Sequence, residues 1–91
     1  MEPKVFLSIL IPVYNWDISQ LLFALDRQRA QLANPDEIEI VVVDDGSNQK
    51  FSNRHVAEGL TGTRYSEQPE NRGRSAVRNA LIDVARGVYV L

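Results

Sequence analysis

The sequence predicts an α/β fold organised around a mostly parallel sheet, and three observations support this. Residues 38–43 are β-branched except for Glu39, and such residues favour a buried, pleated strand. A strand that is apolar on both faces is typical of the middle of a parallel sheet covered by helices. Runs with strand-like and helix-like apolar spacing also alternate along the chain. A hydrophobic content of 44% over 91 residues is sufficient for a core and argues against disorder.

The first half of the chain predicts a strand, a helix and a second strand. The first strand covers residues 6–13. Asp17 and Gln20 match a capping box at the start of the first helix, whose apolar residues recur at helical spacing as far as Leu32. The second strand covers residues 38–45, and it ends in two adjacent carboxylates.

The second half repeats this alternation. Its elements are a helix within residues 49–60 capped by Ser47 or Asn48, a strand at 63–66, a helix from about 74 that ends before Gly87, and a strand at 88–91. Right-handed crossovers then give a three-layer structure with strand order 3-2-1-4 and helices on both faces. Residues 1–91 are interpreted as one domain that stops inside its fourth strand, and therefore as a piece of a longer protein.

Charge and composition argue against several classes of protein. The formal net charge is −2 and the chain has no cysteine, so no disulfide scaffold or thiolate metal site is expected. A general nucleic-acid binder carries excess positive charge, so we expect no nucleic-acid partner. No apolar run approaches the roughly 18 residues that a membrane span needs. We expect a cytoplasmic location. A longer parent protein could lie at the cytoplasmic face of a membrane.

Three segments follow the carboxyl ends of predicted strands, and ligands of open α/β sheets bind at that edge. They are residues 12–15, 44–47 and 71–79. Tyr14 offers a flat face on which a base could stack, although it could equally be an ordinary loop tyrosine. Asp44 and Asp45 could accept an N–H from a base or hold a cation; the alternative is a turn in which Asp45 bonds the backbone of Ser47.

The start of the third helix carries a local positive cluster. Arg74 and Arg78 are four residues apart and share a helix face with Arg72 nearby. Beside a helix N-terminus such side chains suit a phosphate. The alternative is a solvated face in which Arg78 pairs with Asp83 or Glu70.

Taken together, the three segments resemble the family 2 glycosyltransferases, the inverting enzymes with a GT-A fold. The matching blocks are Ser-Ile-Leu-Ile-Pro-Val-Tyr-Asn at 8–15, Ile-Val-Val-Val-Asp-Asp-Gly-Ser at 40–47 and Glu-Asn-Arg-Gly-Arg-Ser-Ala-Val-Arg-Asn at 70–79. The resemblance implies the N-terminal, Rossmann-like half of that fold. It also implies a nucleotide-sugar donor, most simply a UDP-sugar, and a hexosyltransferase that works in cell-wall or polysaccharide biosynthesis.

The resemblance also implies which residues bind the donor. Tyr14 corresponds to a tyrosine that packs on the base, Asp45 to a carboxylate that takes the base N–H, and Pro12 shapes the loop. The full candidate set is Pro12, Tyr14, Asn15, Asp44, Asp45, Asn71, Arg72, Gly73 and Arg78. No catalytic residue and no metal ligand is expected within the chain.

Other parts of the implied enzyme are expected outside these residues. The family's Asp-x-Asp motif, which holds Mg or Mn on the diphosphate, normally follows the fourth strand and is not in this sequence. The catalytic base and the site for an acceptor saccharide or lipid-linked saccharide are also expected elsewhere. We therefore expect the 91-residue chain to be inactive alone and to form a homodimer through its cut strand.

Two alternatives belong to other functional classes. One is a flavodoxin-like signalling domain with a phosphoacceptor Asp, but the end of the first strand, Tyr14-Asn15, offers no such Asp. The other is a nucleotide-binding module without any catalytic half. The sequence of the parent chain beyond Leu91 would separate this second alternative from a transferase.

Overall fold

A computed structural model describes residues 4–91, and these residues form a four-stranded parallel sheet in the order β3-β2-β1-β4. The elements are β1 Leu7–Val13, α1 Ser19–Ala30, a short 3₁₀ helix Pro35–Glu37, β2 Ile38–Asp44, α2 Asn53–Glu58, β3 Thr63–Glu67, α3 Arg74–Val84 and β4 Tyr89–Val90. The predicted α/β class, strand order and parallel pairing are confirmed. Because the flavodoxin-like order is 2-1-3, the observed order contradicts that alternative.

The core consists of two clusters, one on each face of the sheet, because successive side chains of β2 point to opposite faces. Ile40 and Val42 belong to a cluster with Leu22 and Ala57, under α1 and α2. Val41, by contrast, belongs with Val43 to a cluster formed with α3 through Val77 and Leu81. β2 is therefore covered on both faces, as its β-branched sequence predicts.

The helix ends differ from the sequence expectations. The capping box does not form, because α1 begins one residue later than the pattern requires; Asp17 Oδ1 instead accepts hydrogen bonds from the backbone N–H and the hydroxyl of Ser19. The second helix is shorter than predicted, and its N-cap is Ser52 rather than Ser47 or Asn48. α3 ends in an extended Ala85, so Gly87 is not a helix cap. Gly87 instead packs on β1, where a Cβ would lie 2.6 Å from the backbone nitrogen of Ser8.

A buried carboxylate joins the strands at the amino edge of the sheet, and the sequence analysis did not predict it. Glu39 is 7% exposed within the otherwise apolar β2. It accepts hydrogen bonds from Ser8 Oγ and the N–H of Arg86, and from Nε and Nη2 of Arg64 at 3.1 and 2.8 Å. Burial alone would raise the pKa of Glu39, but these hydrogen bonds and the charge of Arg64 outweigh it and lower the pKa. The network fixes the turn that leads from α3 into β4.

Within residues 4–91, no helix has both the length and the apolar character that crossing a bilayer would require.

Candidate functional site

A crevice of about 310 Å³ lies at the carboxyl edge of the sheet, on the side covered by α3. It is lined by Pro12, Val13, Tyr14, Asp45, Asn71, Gly73, Arg74 and Val77. These residues come from the ends of β1 and β2 and from the start of α3. The three segments identified in the sequence therefore meet at one edge. Tyr14, Asp45 and Asn71 all lie at this edge of the sheet.

The two adjacent aspartates serve different faces of the sheet. Asp44 continues the alternation of Ile40 and Val42 and is fully buried on the side of α1 and α2. Its Oδ1 accepts the N–H of Ser47 at 2.7 Å, so Asp44, and not Asp45, forms the turn. Its Oδ2 is buried and has no hydrogen-bond partner among residues 4–91. Asp44 does not line the crevice.

Tyr65 on β3 lies on the same face of the sheet as Asp44, and the negative charge of Asp44 affects the pKa of Tyr65. Burial, the hydrogen bond from its hydroxyl to Glu67 at 3.1 Å, and the negative charges of Asp44 and Glu67 raise the pKa of Tyr65 well above its ordinary value. This phenol therefore stays protonated and structural.

Asp45 faces the crevice and holds the loop that enters α3. Its Oδ1 accepts the N–H of Arg72 at 2.9 Å, and its Oδ2 accepts the N–H of Gly73 at 3.1 Å and Nδ2 of Asn71 at 3.2 Å. The residue is 4% exposed. Each carboxylate oxygen has two acceptor positions, so Oδ1, with one bond, can still accept a donor from a ligand.

Gly46 allows this loop to approach β2. Its φ is +71°, and a Cβ on Gly46 would lie 2.3 Å from the carbonyl carbon of Glu70 and 2.4 Å from the nitrogen of Asn71. Both the left-handed backbone and the contact require glycine. The glycine of the Asp-Asp-Gly-Ser segment is therefore explained by the position of the loop at residues 70–73.

Asn15 and Ser47 connect the loops that follow β1 and β2. The N–H of Asn15 donates to Ser47 Oγ at 2.7 Å, and Oδ1 of Asn15 accepts the N–H groups of Asn48 and Gln49 at 2.9 and 3.1 Å. Asn15 was a candidate for ligand binding, but it lies outside the crevice lining. Its contacts are with the neighbouring loop.

The arginines differ in how they relate to the crevice. Arg74 lines it, whereas Arg72 and Arg78 are exposed and lie outside the lining. Within residues 4–91 none of the three forms an ion pair, so the pairing of Arg78 with Asp83 or Glu70, which belonged to the alternative of a solvated face, does not occur. The first turn of α3 has no side-chain cap, and its N–H groups are therefore available beside the crevice.

Three lining residues, Val13, Arg74 and Val77, were absent from the candidate set. Val77 falls within the predicted third helix, Val13 ends the predicted first strand, and Arg74 was named only as part of the positive cluster at the helix start. Val77 follows Arg74 by three residues, which places both on one helix face. That spacing was the available signal that the first turn of α3 gives the crevice an apolar wall as well as a positive charge.

A depression of about 380 Å³ lies at the opposite, amino edge of the sheet, beside Arg29 and Arg64. Four of its five charged side chains are paired within the protein, and the fifth, that of Arg86, is exposed. Arg29 donates to the carbonyl of Ile38 and pairs with Asp36, and Arg64 pairs with Glu39. The carboxyl edge, where polar groups face an open crevice, is therefore the candidate functional site.

Comparisons with known proteins identify the family and the fold of the chain. The model of the family described as Glycosyl transferase family 2 matches residues 8–91. No curated protein matches the chain significantly. The crystal structure of S. aureus TarS resembles this chain with a TM-score of 0.77 and 26% identity, over 96% of this chain and 16% of TarS.

Two structures of TarS 1-349 show the same fold. One has a TM-score of 0.70, and the other, in complex with UDP, has 0.71; each is 23% identical and covers 96% of this chain and 26% of the TarS 1-349 chain. The present chain thus corresponds to a small part of each of these proteins. Because the family model covers nearly all of its residues, the chain belongs to glycosyl transferase family 2.

Proposed function

We propose that this chain binds the nucleoside diphosphate of a nucleotide sugar and supplies the donor half of an inverting glycosyltransferase. The observation that carries the proposal is the crevice at the carboxyl edge, where an aromatic ring, a buried carboxylate and an uncapped helix start come together. Open α/β sheets bind nucleotides at this edge. Membership of the family supports the same assignment.

In the proposal, Tyr14 and Asp45 recognise the base. Tyr14 lines the crevice and is 48% exposed, so its ring offers a face on which a base can stack. The carboxylate of Asp45 is an acceptor, so it favours a base edge that presents an N–H. Uracil presents one at N3. The UDP complex of TarS 1-349 supports UDP as the nucleotide.

The diphosphate then lies at the start of α3. The uncapped N–H groups of the first turn suit an anion, and the positive end of the helix dipole adds to this. Arg74 lines the crevice and can donate to a phosphate oxygen. Asn71 and Gly73 shape the wall, and the exposed Arg72 and Arg78 contribute positive potential nearby.

Transfer of the sugar requires further groups that we do not assign to this chain. An acceptor hydroxyl must lose its proton to a general base, and a cation must stabilise the departing diphosphate. The family generally uses a divalent metal, but within residues 4–91 no group of three or more potential ligands could hold one. We propose that residues outside this sequence supply the general base. We propose that residues outside it also bind Mg or Mn and an acceptor saccharide or lipid-linked saccharide. We propose a cytoplasmic setting, in cell-wall or polysaccharide biosynthesis.

Calorimetric titration with UDP tests the binding proposal. We expect the protein to bind UDP weakly and Asp45→Ala to lose about 1–3 kcal/mol of binding free energy, because a base N–H and the loop at 71–73 lose their acceptor. Asp83→Ala is the matched control, since Asp83 is exposed on α3 and does not line the crevice. Absence of UDP binding by the wild-type protein, or equal loss in both variants, would contradict the proposal.

A further inference from the structure

Asn15 forms hydrogen bonds that join the loop after β1 to the turn after β2. Oδ1 of Asn15 accepts two backbone N–H groups, from Asn48 and Gln49, while the N–H of Asn15 donates to Ser47 Oγ. Ser47 is 6% exposed, and its own N–H donates to Asp44. The loop after β1 is therefore anchored to the turn after β2, and that turn is in turn anchored to a fully buried carboxylate.

The backbone of Asn15 explains why this residue type is needed. Its φ is +51°, in the left-handed region that most side chains avoid and that Asn, Asp and Gly tolerate best. Glycine could adopt the conformation but has no acceptor. Other polar side chains offer an acceptor but adopt this conformation less readily. Asparagine and aspartate satisfy both requirements.

Tyr14 lies between two hydrogen bonds that join the chain after β1 to the segment after β2. On one side, the carbonyl of Val13 accepts the N–H of Asp45 at 2.8 Å; on the other, Asn15 is bonded to Ser47 at 2.7 Å. The backbone on both sides of Tyr14 is thereby fixed against the segment that carries Asp45. The residue as a whole is 48% exposed, so packing alone constrains its side chain little.

We infer that Asn15, together with Ser47, is a positioning residue that sets the Tyr14 ring over the crevice at a fixed place relative to Asp45. The inference rests on the proposed function, because it concerns how the ring is prepared for a base. Asn15 is outside the crevice lining, so it acts through Tyr14. Preorganisation of this kind improves affinity by removing the ordering that binding would otherwise require.

Three variants separate the two properties of Asn15. Asn15→Gly keeps the left-handed backbone and removes the acceptor, whereas Asn15→Asp keeps both. Ser47→Ala removes the other anchor. Asn34→Gly is the matched control: Asn34 is exposed, its side chain forms no hydrogen bond among residues 4–91, and it precedes the 3₁₀ helix at the amino edge of the sheet.

UDP affinity and the NMR signals of the Tyr14 ring are the two readouts. We expect Asn15→Gly and Ser47→Ala to bind UDP about tenfold more weakly, equivalent to about 1.4 kcal/mol, while Asn15→Asp and Asn34→Gly bind like wild type. In a Tyr14→Ala background, Asn15→Gly should cause no further loss, because the effect passes through the ring. The Tyr14 ring signals should move towards unstructured values in Asn15→Gly, with or without UDP.

The outcomes distinguish this inference from the proposed function. Unchanged UDP affinity in Asn15→Gly, or an equal loss when Tyr14 is already alanine, would overturn the positioning role and leave UDP binding intact. If the wild-type protein did not bind UDP, the proposed function would fail, and the ring signals alone would then decide whether Asn15 orders Tyr14. Unchanged ring signals in Asn15→Gly would refute the positioning role of Asn15.

Discussion

Replacing Glu39 by alanine should destabilise the fold strongly, because a buried carboxylate at the amino edge holds three parts of the chain together. Glu39 accepts four hydrogen bonds, two from Arg64 and one each from Ser8 Oγ and the N–H of Arg86. Arg64 remains bonded to the carbonyl of Val84 and its side chain is 36% exposed, so water can solvate its charge after the substitution. The hydroxyl of Ser8, which is fully buried, and the N–H of Arg86 lose their acceptor.

The expected magnitude follows from these contacts. Each buried donor left without a partner costs about 1–3 kcal/mol, and removing one member of a buried charge network typically costs about 3–5 kcal/mol in total. A net stability of about 5–15 kcal/mol is usual for a domain, so Glu39→Ala would remove a large part of it. We expect a loss of about 3–5 kcal/mol.

Urea denaturation followed by circular dichroism measures this loss as a lower midpoint at an unchanged slope. Glu37→Ala is the matched control, because Glu37 is exposed in the preceding 3₁₀ helix and its carboxylate has no partner among residues 4–91. It should change the stability by less than about 0.5 kcal/mol. A loss below about 1 kcal/mol for Glu39→Ala, or equal losses in the two variants, would refute the reasoning.

The pH dependence provides an independent check of the same network. The pKa of Glu39 is lower in the folded protein than its ordinary value of 4.5, so the unfolded chain binds the proton more readily. The stabilisation is therefore fully present above pH 4.5 and is lost as the pH falls through the folded pKa. Glu39→Ala should show a smaller loss of stability in this acid range than the wild-type protein.

Two further predictions concern the loop contact and the open edge of the sheet. Gly46→Ala should lower the free energy of unfolding by about 1–3 kcal/mol and weaken UDP binding, because its Cβ would collide with Glu70 in a left-handed conformation. Gly59→Ala is the control: its nearest contact is 3.5 Å, so stability and UDP binding should both stay unchanged. Thermal unfolding and calorimetric titration compare the two variants. The protein should self-associate through the exposed edge strand β4, so sedimentation equilibrium should give a higher average mass for wild type than for Val90→Lys; a wild-type monomer at every concentration would contradict this.

Much of the fold could be predicted because its determinants are local. The β-branched run of β2, the alternation of apolar segments and the handedness of crossovers together fix the strand order. The same rules place Tyr14, Asp45 and Asn71 at one edge of the sheet before any contact is known. Position at a strand end therefore predicted the location of the candidate site.

The division of roles between Asp44 and Asp45 could not be predicted from the sequence. Both are adjacent acceptors before a glycine, and the choice depends on which face each side chain meets. The loop at residues 71–73 reaches Asp45 only because Gly46 lets it approach. Glu39 was missed for a similar reason, since its partners Ser8, Arg64 and Arg86 are distant along the chain.

The central claim is that a nucleoside diphosphate binds at the carboxyl edge of the sheet, and NMR titration of the labelled protein with UDP tests it most directly. We predict that the amide signals of Tyr14, Asp45, Gly73 and Arg74 shift together as UDP is added, because these residues line one crevice. Signals from the amino edge, such as that of Arg64, should stay unchanged. Shifts confined to the amino edge, or no shifts at any residue, would contradict the account.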